Sequence, residues 1–73
     1  MTLQDLSPRR REVALLVGLD YKREQIAAEL GMKLSTVHST IQQIAARIPH
    51  DPNIPAMRAV RGWVNAQQRP KAA

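Results

Sequence analysis

Cysteine and phenylalanine are absent from the 73 residues, and tryptophan and tyrosine occur once each. Without cysteine there is neither a disulfide framework nor a thiolate metal site, and His38 and His50 alone make a poor metal site. The dearth of aromatics weighs against RNA or single-strand binding, because those modes lean on stacking platforms. Acidic residues are few: six Asp and Glu face eleven Lys and Arg, a formal charge of +5. The expected partner is therefore polyanionic, with nucleic acid ahead of a membrane surface, though charge does not choose between DNA and RNA. No apolar run approaches the roughly 18 residues of a membrane span, and "MTLQDLSPRRREV" has no signal-like hydrophobic region after its arginines. A soluble, unprocessed, cytoplasmic protein is expected. No nucleophilic cysteine, phosphate-binding loop or zinc-protease motif occurs, and the acids are scattered, so neither an enzyme nor a cofactor is expected.

What is present reads as helices. One domain of this size buries only about 60% of the surface its unfolded chain exposes, so stability should be modest. Its core is expected over about 6–66, with 67–73 a frayed tail. In "LSPRRREVALLVGLD", Ser7 before Pro8 is the pairing of an N-cap and a first helical position. Helix 1 should run from Pro8 to about Val17, with Val13, Leu16 and Val17 facing the core and Leu6 packing from outside. Gly18 is expected to loosen its end. Ile26, Ala27 and Leu30 share a face of a short helix 2, about Arg23 to Leu30, and Gly31 is its expected left-handed cap. Val37, Ile41, Ile44 and Ile48, at intervals of four, three and four, form the stripe of an amphipathic helix 3 that stops at Pro49. The prolines of "PHDPNIP" predict a loop, and a fourth helix from Pro55 should turn Met57, Val60 and Val64 inward. No segment alternates with period two and no internal repeat is visible.

Two short helices around a glycine-containing turn are the helix-turn-helix arrangement, whose second helix enters the major groove. "LSPRRREV" followed by "QIAAELGMKLSTVHSTIQQIAARI" resembles the DNA-binding domain of LuxR and GerE type regulators, and is also similar to region 4 of bacterial sigma factors. The resemblance covers about Leu6 to Ile48 and rests on the L-[ST]-P-R start, the E-V of helix 1, the I-A-x-x-L-G of helix 2 and the T-V of helix 3. It implies four helices, with helix 3 for recognition, transcriptional regulation and, often, dimerisation through the last helix. Tyr21 stands where that family packs an apolar residue. Three departures stand out. Lys22 occupies the position that usually caps helix 2, which leaves Asp20 to cap. Lys33 occupies the corresponding position before helix 3. Thr40 and Gln43 replace the family's histidine and asparagine.

At 100° per residue, Ile41, Ile44 and Ile48 stay within about 40° of Val37, and Ser35, His38, Ser39, Gln42 and Ala46 lie opposite. A face that approaches base edges closely cannot be crowded with long charges. Serine, histidine and glutamine can exchange hydrogen bonds with base edges, and glutamine can pair with adenine in a bidentate manner. His38, Ser39 and Gln42 are therefore the candidate base contacts, and the resemblance implies DNA contacts at the same positions. His38 could equally be an idle surface histidine. Lys22, Arg23, Lys33, Ser35, Thr36 and Arg47 are the candidate contacts to backbone phosphates, Thr36 having a capping or packing role as its alternative. Among Arg9, Arg10 and Arg11, one should pair with Glu12 or a neighbour and another is free to reach DNA.

In helix 4, Ala56, Ala59 and Trp63 form a second apolar strip, displaced by roughly 100–160° from Met57. It suits a homodimer interface, since tryptophan is favoured at interface centres; the alternative is that Trp63 folds back over helix 1 and closes the core. The expectation is thus an all-α, four-helix, helix-turn-helix regulator that acts alone on double-stranded DNA. The alternative is a sigma region 4-like interaction module that binds RNA polymerase or another regulator.

Overall fold

The computed structural model describes residues 2–68. A short 3-10 turn, Leu3–Asp5, leads into four α-helices: α1 (Pro8–Gly18), α2 (Arg23–Leu30), α3 (Leu34–Arg47) and α4 (Ala56–Gln68). Among the described residues there is no strand. Gln67 and Gln68, expected in a frayed tail, are helical, and the rest of that tail lies outside the described residues.

The 3-10 turn is the one element with no warning in the hydrophobic pattern. The Thr2 N–H donates to Oδ2 of Asp5 at 2.8 Å, and that bond holds the Asp5 carboxyl below its ordinary range. Arg11 fastens the turn to α1: its guanidinium donates to the carbonyls of Leu3 at 3.2 Å, Gln4 at 3.4 Å and Leu6 at 3.1 Å. Leu6 is thereby held in the core.

Helix α1 starts as expected, with Ser7 extended and Pro8 in the first position, but the Ser7 hydroxyl makes no capping bond. Val13, Ala14 and Val17 are buried, whereas Leu16 is only half-buried. On a helical wheel Leu16 lies at the margin of the face centred between Val13 and Ala14, so it seals the edge. Gly18 does not loosen the helix. It is the last helical residue, and a Cβ there would meet Cγ1 of Val64 at 2.6 Å, so its lack of a side chain sets how closely α4 approaches α1. The helix closes one turn later: Tyr21 N–H donates to Leu16 and Asp20 N–H to Val17, with Asp20 left-handed at φ 69°. That is a Schellman closure built on aspartate where glycine is usual. Asp20 consequently does not cap α2; its carboxylate pairs with Arg61 of α4.

The bounds of α2 agree with the sequence reading. The Lys22 N–H donates to Oε1 of Gln25 at 2.9 Å, which supplies half of a capping box where lysine has no acceptor to complete it. Gly31, at φ 64°, ends the helix as expected, and Met32 N–H donates to Ala27 across it. The loop after α3 is organised by Asp51, whose side chain and carbonyl accept from Asn53 and Ile54 N–H, both at 2.9 Å. Pro55 then precedes α4 and its carbonyl accepts the Ala59 N–H, so the helix begins at Ala56.

Helix α1 packs against α3 and α4, α3 also against α4, and α2 lies on α3. The core between them is purely aliphatic, with Ile26, Ile41, Ile44, Val13, Val17, Val37, Val60 and Val64 fully buried. Tyr21, Met57 and Trp63 close its margins, half-buried. Ala56, Ala59 and Trp63, the strip expected to face a homodimer partner, all touch the core to differing degrees. Ala59 is 8% exposed and belongs to the monomer's own core, while Ala56 and Trp63 pack against that core. The two apolar strips of α4 are one broad face of about 160° that contains Val60 and Ala56 at its middle, because α4 wedges against two helices at once.

Candidate nucleic-acid interface

The turn between α2 and α3 follows from Gly31, and α3 then begins without a side-chain cap, since Lys33 at the capping position carries no acceptor. The helix orients itself by burial. Val37, Ile41 and Ile44 are fully buried and Ile48 nearly so, which turns Ser35, His38, Ser39, Gln42 and Ala46 outward, all exposed. Thr36 is also exposed, and its carbonyl accepts the Thr40 hydroxyl at 2.8 Å, a back-bond that lets Thr40 sit buried on the helix flank. Gln43 is exposed but engaged: its Oε1 accepts from Nη2 of Arg10 at 2.8 Å. Of the residues of α3 that depart from the LuxR-like pattern, Gln43 ties the helix to α1 and Thr40 is buried with its hydroxyl bonded within α3.

A groove of about 430 Å³ runs between the start of α1 and this helix, lined by Ser7, Arg9 and Arg10 on one side and Ser35, Thr36 and Ser39 on the other. Ser7 was not among the expected contacts, and the three arginines that follow it take three different roles. Arg9 pairs with Glu12 at 3.4 Å on the surface, Arg10 reaches Gln43, and Arg11 turns inward to the carbonyls of the N-terminal turn. The Ser7 hydroxyl makes no capping bond and lines the groove, while its carbonyl accepts the Arg11 N–H; in the sequence Ser7 reads only as an N-cap, so no signal there marked it.

The remaining candidate cations are spread around the helix-turn-helix unit. Lys22 is exposed at the start of α2, Arg23 is half-buried beside it, Lys33 is exposed ahead of α3, and Arg47 is exposed at its last residue. The uncharged face of α3 and these cations together can meet base edges at the centre and phosphates at the periphery. Among the described residues, no group of three metal-ligating side chains exists, and no helix is long and apolar enough to cross a membrane.

No curated protein and no solved structure matches the chain. The family described as "Sigma-70, region 4" matches residues 1–48, which takes in the N-terminal turn, α1, α2 and all of α3 and leaves α4 outside. Of the two likenesses read from the motifs, this is the second, and LuxR and GerE type domains are related helix-turn-helix units. The match supports a DNA-binding role in transcription and spans about two-thirds of the chain: the protein belongs to the sigma-70 region 4 family of helix-turn-helix domains.

Proposed function

We propose that this protein is a sequence-specific regulator of transcription that lays α3 in the major groove of double-stranded DNA, reading bases with His38, Ser39 and Gln42. Lys22, Arg23, Lys33, Ser35, Thr36 and Arg47 hold the phosphates on either side, and the site of action is the DNA of the cytoplasm. One observation carries the reading: α3 spends its apolar side wholly on the core and presents an exposed row of short, uncharged hydrogen-bonding side chains in a protein of charge +5. Solvation alone does not call for that pattern, whereas close approach to base edges does.

Selection of bound sites from random duplexes tests it. Enrichment of one motif, with affinity that falls steeply as salt rises, is the expected result. Recovery of unenriched sequence, or binding indifferent to salt, overturns it.

The family match favours a second reading, in which the domain docks on RNA polymerase or another regulator. That reading predicts capture of the partner by the protein in the absence of DNA. It also predicts no preference among duplexes.

A further inference from the structure

A cleft of about 480 Å³ separates the start of α2 from the first turns of α4. Four cations line it, Lys22 and Arg23 from the start of α2 and Arg58 and Arg61 from α4, against the carboxylates of Asp20 and Glu24. Asp20 is already committed to Arg61. Lys22, Arg23 and Arg58 therefore outweigh Glu24, and the cleft keeps a net positive field.

We infer that this cleft seats the sugar-phosphate backbone of the same duplex that α3 reads, with Arg58 as the contact that α4 adds. The inference rests on the DNA-binding reading above. Two features favour phosphate over an acidic peptide. Lys22 and Arg23 sit at the start of the helix-turn-helix unit, so the cleft continues directly from the cations assigned to the backbone there. Its polar rim is dominated by guanidinium groups, whose planar fork matches phosphate oxygens. Arg58 lies beyond residue 48, outside the matched family region, so the contact is an extension of the footprint by this chain's own fourth helix.

The Asp20–Arg61 pair acts within this cleft as a counterweight. Asp20 is exposed and holds a left-handed backbone that asparagine also tolerates. Asp20→Asn therefore keeps the turn, removes a carboxylate that repels phosphate and releases Arg61 toward the strand.

Fluorescence anisotropy of a short labelled duplex, with melting curves to verify folding, tests this. Arg58→Ala should weaken cognate and random duplexes alike, roughly threefold to tenfold at low salt, and lower the salt slope by about one unit. Asp20→Asn should tighten both duplexes and steepen the slope. If wild type binds with a steep slope while both variants leave affinity and slope unchanged, the cleft does not touch DNA and the inference is overturned. It is overturned too if a polyglutamate peptide binds wild type and not Arg58→Ala while duplex binding is the same in both. A wild type that binds no duplex at all defeats the DNA-binding reading itself, and the inference with it.

Discussion

The two sides of α3 share fourteen residues and have opposite chemistry. Inward lie Val37, Ile41 and Ile44, joined by Ile48 just past the helix end, every one β-branched and therefore stiff at its first torsion. Outward lie Ser35, His38, Ser39 and Gln42, short or slender side chains with hydrogen-bonding tips. The inner side makes the helix a fixed rod against α1, α2 and α4, and the outer side is what that rod holds up. Stability is carried by the inner residues and, in the function proposed above, recognition by the outer ones, so substitutions should separate the two.

The largest effect is expected on the inner side. Ile41→Ala leaves a cavity at a fully buried site and should cost about 2–5 kcal/mol, a large part of what a domain this small possesses. A urea midpoint that hardly moves would mean the inner stripe does not hold the helix. Next comes a pair of helical glycines that separates packing from propensity. Gly62→Ala meets nothing within 4 Å and should stabilise by up to about 1 kcal/mol. Gly18→Ala drives a methyl into Val64 and should destabilise by about 1–3 kcal/mol. Thermal melts that rise for both variants contradict the close approach of α1 and α4. On the outer periphery, Lys22→Ala and Arg47→Ala should leave melting unchanged and weaken all duplexes alike, each lowering the salt slope by about one unit. An unaltered slope in both removes them from the phosphate contacts. The smallest effect belongs to the N-terminal turn. Because the Asp5 carboxyl is held low by Thr2, its contribution is present above the ordinary carboxylate range and lost as pH falls through the lowered value. An acid titration followed by NMR should show the Thr2 and Asp5 amide signals shifting together there, while those of Ile41 and Ile44 stay fixed.

The division within α3 was legible in the sequence because both of its sides are periodic. Pro8, Gly31 and Pro49 punctuated the helices, so the bounds of α2 and the facing of Val37, Ile41 and Ile44 needed no tertiary knowledge. What escaped depends on contacts between distant residues or on ambiguous residue types. Asp20 closes α1 in a conformation usually marked by glycine, and its partner Arg61 lies 41 residues away. Gly18 looked like a helix breaker, and only the position of Val64 shows it to be a packing residue. Ala59 fits a core or a surface equally well, and taking Met57 as the centre of α4 split one broad face into two. Ser7, Arg9 and Arg10 joined the candidate interface only once α1 was seen beside α3.

The central claim is that the outer side of α3 reads sequence. It is tested most directly by measuring affinity for the selected duplex and for a random duplex with wild type, Ser39→Ala and Gln42→Ala, at one salt concentration. The account predicts that each variant loses about 1–3 kcal/mol of discrimination while its melting and its affinity for the random duplex stay near wild type. Equal losses on both duplexes, or undiminished discrimination in both variants, would contradict it.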